Sequence, residues 1–565
     1  MLVAPHKLTS ESNDHQQRIA RRGISRMLSR SESGRERRRT VRIPLALSVP
    51  ALAVSLLMLV PVAYLMIRAA DTGGDIWPLI FRERTATIAW NTVRLAAGVA
   101  ISTAIIAVPL AWLTTRTDLP WARFWDVVAP LPLAIPSYAG AIAVIGSLGP
   151  RGLVQGWLEP LGVETLPSLY GYLGSWAILT LFTYPYVYLA VRAALRGLDP
   201  SMEEASRGLG RSPLQTFFMC TLPQLRPALG SALLLVSLYT ISDFGVVTLM
   251  RYEAFTRGIY TQYRAAFDRT LAAALGVMLV MFAIGLLLGE NRLRRRATFY
   301  RLGSGAARTT RIVRLGRARW LAFAFCALLT TLALGVPVGT FLYWLLTGTS
   351  AGSGLGRLPG AAWNSIVVSV GSAAGALLAA LPIALLAVRY RSRFSTAIER
   401  LSYLGYGLPG IVIALSFVFI GARYLTPLYQ TLGFMILAIV IRLLPQGVGS
   451  VRASLLQVSP RLEEASRTLG TSFVMTFVRV TLPLAWPGIA IGALLVSLSA
   501  MKELPIALLL SPTGYDTLAT EIWSATEGGA YGRAAAPALL LIVVSAIPTL
   551  LLGIRRVPAP ERIGD

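Results

Sequence analysis

The chain has 565 residues, of which 55% are apolar and only 14% charged, with a mean hydropathy of +0.61. That is too apolar for an ordinary soluble protein of this size and predicts an all-α polytopic membrane protein. The net charge of +26 does not point to nucleic acid, because the arginines gather in the N-terminal tail and in short polar connections, as orientation of membrane spans by flanking cations requires.

Residues 1–43 are polar, Arg-rich and short of large apolar side chains, which predicts a disordered basic tail; its stretch RRGISRMLSR also suits an anionic lipid surface. The next apolar run, 44–67, is too long for a signal-peptide core and lacks a convincing cleavage site, so it is expected to remain as a span. Runs near 90–114, 127–148, 169–191, 228–250 and 271–289 follow, each close to the roughly 20 residues a span needs. A basic linker, 291–317, divides the chain, and runs near 318–346, 363–388, 401–420, 431–450, 484–510 and 534–554 repeat the plan. The prediction is about 12 transmembrane helices in two parallel six-helix repeats, 44–290 and 318–556, with a short C-terminal tail at 557–565.

The repeats can be placed in register. Trp90-Asn91, Pro109, Arg116 and Pro136 match Trp363-Asn364, Pro382, Arg389 and Pro409 at an offset of 273. Further on the offset is 260, so the first repeat carries 13 additional residues, which the Gly/Pro-rich connection 149–168 accommodates. With the basic tail inside, parity places the linker, the RYRSR at 389–393, the C-terminal Arg555 and Arg556, and both copies of the segment described next on the cytoplasmic side.

That segment is the strongest internal repeat. Residues 199–227, DPSMEEASRGLGRSPLQTFFMCTLPQLRP, align without a gap to 459–487, SPRLEEASRTLGTSFVMTFVRVTLPLAWP. Each copy predicts a short helix: Asp199 or Ser459 to cap it, Pro200 or Pro460 at the first position, acidic residues in the first turn, and Gly210 or Gly470 at the exit. Met202, Ala205 and Leu209 share one face, as do Leu462, Ala465 and Leu469, while Glu204, Arg207, Glu464 and Arg467 point elsewhere. At about 15 Å such a helix cannot cross a bilayer. A plain connector needs amphipathicity alone, whereas here Glu, Ser, Arg and Gly recur as well.

The pattern Glu-Ala-small, three residues, Gly and then Leu-Pro resembles the EAA loop of ABC importer permeases of the type I fold. It is matched by Glu204, Ala205, Ser206, Gly210, Leu222 and Pro223, and again by Glu464, Ala465, Ser466, Gly470, Leu482 and Pro483; Ser replaces Ala at the third position in both copies. The resemblance implies a multi-pass permease of a prokaryotic inner membrane with cytoplasmic termini and an extracytoplasmic substrate-binding protein as partner. In that family the loop is a coupling helix docked in a cytoplasmic ATPase. By that likeness Glu203, Glu204, Ala205, Ser206, Arg207 and Gly210, with Glu463, Glu464, Ala465, Ser466, Arg467 and Gly470, form two docking elements for two ATPase copies. The chain itself offers no phosphate-binding loop, since its only lysines, Lys7 and Lys502, lie in no such context. It is therefore expected to be a translocation subunit rather than an enzyme, binding no cofactor, with ATP held by the partners.

Charges within the spans are few. Asp243 in YTISDFGVV and Glu503 in SAMKELPIA occupy the same register, and Pro505 frees the carbonyl of Met501, predicting a broken helix beside Lys502 and Glu503. Asp243, Lys502, Glu503 and Pro505 read either as a gate or translocation path or as interhelical packing. The stretches SDFGVV, RGIYTQY, MKELPIALLL and TEIWSATEGGAYGRAA resemble the fused permeases for ferric iron. Permeases for thiamine and aminophosphonates share the plan, with weaker likeness at KELP. Chemistry is neutral on iron. His6 and His15 lie in the tail and Cys220 and Cys326 are isolated, which gives no soft or imidazole site, while Asp243, Glu503, Asp516, Glu521, Tyr260 and Tyr263 carry the oxygen that a hard cation favours. From another class, an ion-coupled carrier would work without an ATPase and would have no use for two docking helices.

Overall fold

The computed structural model describes residues 44–70, 78, 81–150, 152–198, 201–264, 269–295, 312–348 and 355–554. The N-terminal tail, linker positions 296–311, Asp199, Pro200, Arg555 and Arg556 lie outside the described residues. Within them the chain is helical, with no β-strand and a single isolated bridge between Thr117 and Val313.

Ten helices are long and apolar enough to cross a membrane: Leu45–Arg68, Glu83–Arg116, Tyr172–Gly197, Pro213–Ser242 and Thr270–Gly289, then Ala318–Thr347, Leu355–Arg389, Leu432–Gln457, Phe473–Met501 and Tyr531–Leu550. The third run of each repeat departs from a straight span. Ala122–Ala134 and Ser137–Leu161 meet at 95°, and Arg393–Gly407 and Gly410–Arg423 at 102°. The breaks fall at Pro136 and Pro409, which hold extended backbone at φ −60°, ψ 139° and φ −60°, ψ 144°.

Hydrogen bonds at the helix ends show that each bent pair runs from one face of the molecule to the other. Asn91, near the start of Glu83–Arg116, binds the carbonyl of Glu253, and Gly171, just before Tyr172–Gly197, binds that of Met250. Arg116, at the far end of the first of these helices, donates to the carbonyl of Leu195, near the far end of the second. The chain between Arg116 and Gly171 must therefore return across the structure. The second repeat repeats the arrangement through Asn364 to the carbonyl of Asp516 and Arg389 to that of Leu455. Counting each bent pair as one crossing gives 12.

Small residues set the helix spacing. A Cβ on Gly375 would lie 2.8 Å from Val440, and one on Gly447 3.0 Å from the backbone of Ala376, so Leu358–Arg389 and Leu432–Gln457 approach at backbone distance. The additional residues of the first repeat lie before Tyr172 and include a short helix, Leu153–Leu158.

The first span of each repeat packs against the other repeat. Ser55 donates to the carbonyl of Ile398, Tyr64 packs at a tilt against Phe419, and Gly405 would strike Met58 if it carried a Cβ. Reciprocally, Phe323 packs with Trp121 and Trp125, and Trp344 fills the place a side chain would take on Gly146. The halves are thus laced together by two exchanged helices, and residues of both halves line a shared cavity.

Candidate functional site

Both copies of the duplicated segment form the expected short helix, Ser201–Gly208 and Pro460–Thr468. Gly210 and Gly470 end them at φ +82° and +86°, where open space surrounds the missing Cβ, so it is the left-handed backbone that calls for glycine. Arg211 N–H reaches the carbonyl of Ser206 and Gly210 N–H that of Arg207, with the same bonds at Thr471 and Gly470, which is the geometry of a Schellman cap. Pro460 takes the first helical position as expected, but Ser459 makes no side-chain cap bond. The side-chain cap belongs instead to the next helix, where Ser212 and Ser472 accept from the N–H groups of Gln215 and Met475.

The residues of each motif divide into two roles. Glu463 turns inward: its Oε1 accepts from Arg389 Nη2 at 2.8 Å and Nε at 3.1 Å and from Thr481 at 3.0 Å. Glu203 repeats this more loosely, accepting from Thr221 at 2.9 Å with Arg116 Nη2 at 3.9 Å. Ser206 and Ser466 also face inward and share hydrogen bonds with Thr216 and Thr476 at 3.1 and 3.2 Å, so the Ser at the third motif position ties the short helix to the one after it. Glu204, Ala205, Arg207, Glu464, Ala465 and Arg467 are exposed, as are Met202 and Leu462. Leu209 and Leu469 are 81% and 85% exposed, so each helix ends in an uncovered apolar side chain.

The clamp depends on a local irregularity. Pro223 and Pro483 have no N–H to give to the preceding turn, and in both repeats that turn is a π-helix, Phe217–Thr221 and Phe477–Thr481. Thr221 and Thr481 end these turns and meet Glu203 and Glu463. A cavity of about 370 Å³ lies beside the first short helix, lined by Trp112, Arg116, Glu204, Arg207 and Val313. Val313 reaches it because the end of the linker is pinned there: its N–H binds the carbonyl of Arg116, and Leu315 N–H binds Asp118 at 2.7 Å.

Sequence reasoning missed a second duplicated ion pair. Asp126 meets Arg192 at 3.0 Å and Arg196 at 2.7 Å, and Glu399 meets Arg452 at 3.1 Å. Asp126 and Glu399 are 273 apart and Arg192 and Arg452 are 260 apart, so the repeat register held the signal.

The intramembrane candidates converge. Asp243, Lys502, Glu503 and Pro505 all line one cavity of about 280 Å³ between the halves. The helices break there: Leu222–Ser242 resumes as Gly245–Leu249, and Leu482–Met501 as Pro505–Leu510. Asp243 accepts from Ser137 at 2.6 Å and from Val246 N–H at 2.8 Å, Lys502 donates to the carbonyl of Leu133 at 2.7 Å, and Glu503 pairs with Arg442. Arg442 has no counterpart in the first repeat, where Phe182 stands at its register, so no repeat signal marked it. The other oxygen-bearing candidates do not join them: Asp516 is engaged through its carbonyl with Asn364, and the described residues contain no group of three or more His, Cys, Asp or Glu poised to hold a metal.

Two repeats of like architecture, ten helices long and apolar enough to cross a membrane together with two bent pairs among the described residues, a polar cavity between the halves and one clamped short helix per repeat are the features of a membrane permease. Residues 105–298 and 376–554 each match the family described as the inner membrane component of binding-protein-dependent transport systems, and the chain belongs to it. The Fe(3+)-transport system permease protein FbpB 2 of Haemophilus influenzae is 35% identical, over 90% of this chain and 98% of its own length. The ferric transport system permease protein FbpB of Actinobacillus pleuropneumoniae is 28% identical over 80% of this chain and 69% of its length. The sulfate transport system permease protein CysT of Escherichia coli is 26% identical over 45% of this chain and 92% of its length, as a single repeat would be.

Proposed function

We propose that this chain is the membrane-spanning subunit of an ATP-driven importer of ferric iron, with both termini in the cytoplasm and the metal delivered by an extracytoplasmic binding protein. The observation that carries the coupling is the pair of short helices, each clamped from behind by Arg, Glu and Thr and presenting an exposed leucine and an exposed glutamate. An element held rigidly on one side and left uncovered on the other suits a partner that pushes on it. Two such elements under pseudo-two-fold symmetry suit two copies of one ATPase, which would bind the ATP that this chain has no loop to hold. Closure of the ATPase pair would drive the two short helices, and through Arg116 and Arg389 the long helices behind them, to alternate access to the central cavity.

The ferric cargo rests on the near full-length relative named for Fe(3+) transport, which shares the fused two-repeat organisation. Thiamine, aminophosphonate and, given the single-repeat relatives, sulfate are the competing cargoes. Native mass measurement of the tagged permease co-expressed with its ATPase is expected to give two ATPase chains per permease, and vesicles should take up cargo only with ATP inside the compartment that bears the short helices. One ATPase per permease, or uptake driven by an ion gradient without ATP, would overturn the coupling.

A further inference from the structure

The two repeats enter the first limb of the bent pair differently. In the second, Ser392 is extended and caps the helix Arg393–Ser402 by accepting from the N–H of Ser395. In the first, the helix Ala122–Val128 has no side-chain cap, and Trp121 before it sits in the left-handed region at φ +58°. A tryptophan there is strained, because its Cβ crowds the backbone where glycine has none. The second repeat demonstrates that this fold can begin the same helix without that strain.

The strained backbone fixes the place of one ring. Trp121 is 70% exposed, yet it meets Phe124 at 6.2 Å and Phe323 at 5.9 Å between ring centres, edge to face in both cases. Trp125 lies buried against Phe124 and Phe323, at 5.0 and 5.5 Å, and the exposed Trp320 meets Phe323 at 6.2 Å. The rings form one platform across the seam: Trp121, Phe124 and Trp125 come from the first repeat, Phe323 and Trp320 from the first span of the second. At the register of Trp121, Phe124 and Trp125 the second repeat has Phe394, Ala397 and Ile398, so the platform is not simply a feature written twice.

The platform stands where membrane spans end, since Trp320 lies in the first turn of Ala318–Thr347 and Trp121 just beyond Glu83–Arg116. Exposed tryptophans at that depth sit between headgroups and acyl chains. Arg123, Arg317 and Arg319, each within three residues of Trp121 or Trp320, are exposed, and none pairs with a described carboxylate. Arg319 lies over the Trp320 ring at 5.4 Å. Asp118, the exposed acid nearest to Trp121 in the chain, already accepts from the N–H of Leu315, and Asp126 is buried and held by Arg192 and Arg196. An open aromatic surface with a net positive rim suits a lipid whose head carries net negative charge, and guanidinium groups suit its phosphate.

We propose that this platform is a binding site for an anionic phospholipid. Its phosphate is taken by Arg123, Arg317 and Arg319, and its glycerol and upper acyl carbons lie on Trp121, Phe124 and Trp320. Because the rings come from both repeats, the bound lipid bridges the halves at the membrane boundary. The site does not depend on the identity of the cargo.

The test is native mass spectrometry of the full-length permease with its ATPase, delipidated in detergent and titrated with phosphatidylglycerol or phosphatidylcholine of the same acyl chains. The unsubstituted complex is expected to bind phosphatidylglycerol about fivefold more tightly or better. Trp121→Gly removes a ring at a backbone angle that glycine adopts freely, so the unfolding midpoint should hold or rise while phosphatidylglycerol affinity falls about threefold or more. Arg317→Gln with Arg319→Gln should abolish the preference between the two lipids and leave phosphatidylcholine affinity as it was. Equal affinity for the two lipids in the unsubstituted complex, or an unchanged preference in the arginine variant, would overturn the proposal. So would displacement of the lipid by an equal concentration of glycerol phosphate, which would make the patch a site for soluble phosphates. Loss of the ATPase from the Trp121→Gly complex would assign the rings to a protein interface and overturn it as well.

Discussion

Substituting Arg389 by Ala is expected to give the largest loss of stability of any single change at the face that bears the short helices. Arg389 and Glu463 are largely buried, with side chains 13% and 10% exposed, and Arg389 also holds the carbonyls of Leu455 and Val458. Removing one member strands the other charge away from water, at a cost of about 3–5 kcal/mol. Unfolding of the purified protein in lipid nanodiscs, followed by intrinsic fluorescence, should show a lowered midpoint, and transport should fall with it because the short helix loses its backing. Arg116→Ala is expected to cost less. Arg116 stands 3.9 Å from Glu203, whose side chain is 22% exposed, and the principal loss is one hydrogen bond to Leu195. Equal effects of the two substitutions would contradict the asymmetry seen between the repeats.

The second large effect is expected where the fold should barely notice the change. Leu209 and Leu469 have open surroundings, so Leu209→Asp with Leu469→Asp should leave the unfolding midpoint where it is. Burying a leucine side chain against a partner contributes roughly 1.5–3 kcal/mol, so losing two weakens ATPase binding by about 10²–10⁴-fold. Co-purification of the ATPase and cargo uptake should both collapse. Retention of the ATPase at the same washing stringency would mean that the two leucines lie outside the docking surface.

Much of this architecture was legible because it is written twice. The gapless match of 199–227 to 459–487 located both short helices, and the offsets of 273 and 260 predicted that Arg116 would correspond to Arg389 and Asp243 to Glu503. What escaped was direction. Apolar runs such as 127–148 and 401–420 report composition, and composition does not reveal that Pro136 and Pro409 turn each run through about a right angle. Nor does an apolar run carry the address of its partner, so the exchange of Leu45–Arg68 and Ala318–Thr347 between repeats was invisible until Tyr64 met Phe419 and Trp344 met Gly146.

The motif residues illustrate a further limit. Sequence spacing groups Glu203 with Glu204 and Glu463 with Glu464 as one docking set, yet neighbours on a helix face about 100° apart, and the structure turns the first of each pair inward and the second outward. Arg442 was hidden for the opposite reason. Its importance lies in breaking the repeat, at a register where the first half has Phe182.

The proposed ATP-coupled import of ferric iron through two short helices can be followed in whole cells. Its most direct test is uptake of radiolabelled ferric iron by cells lacking this gene and then supplied with either the intact gene or the Glu204→Ala, Glu464→Ala form, with thiamine uptake followed in parallel. Iron uptake should be lost on deletion, restored by the intact gene and restored little or not at all by the double substitution, while thiamine uptake stays unchanged throughout. Iron uptake that survives deletion while thiamine uptake disappears would contradict the cargo, and full restoration by the double substitution would contradict the coupling.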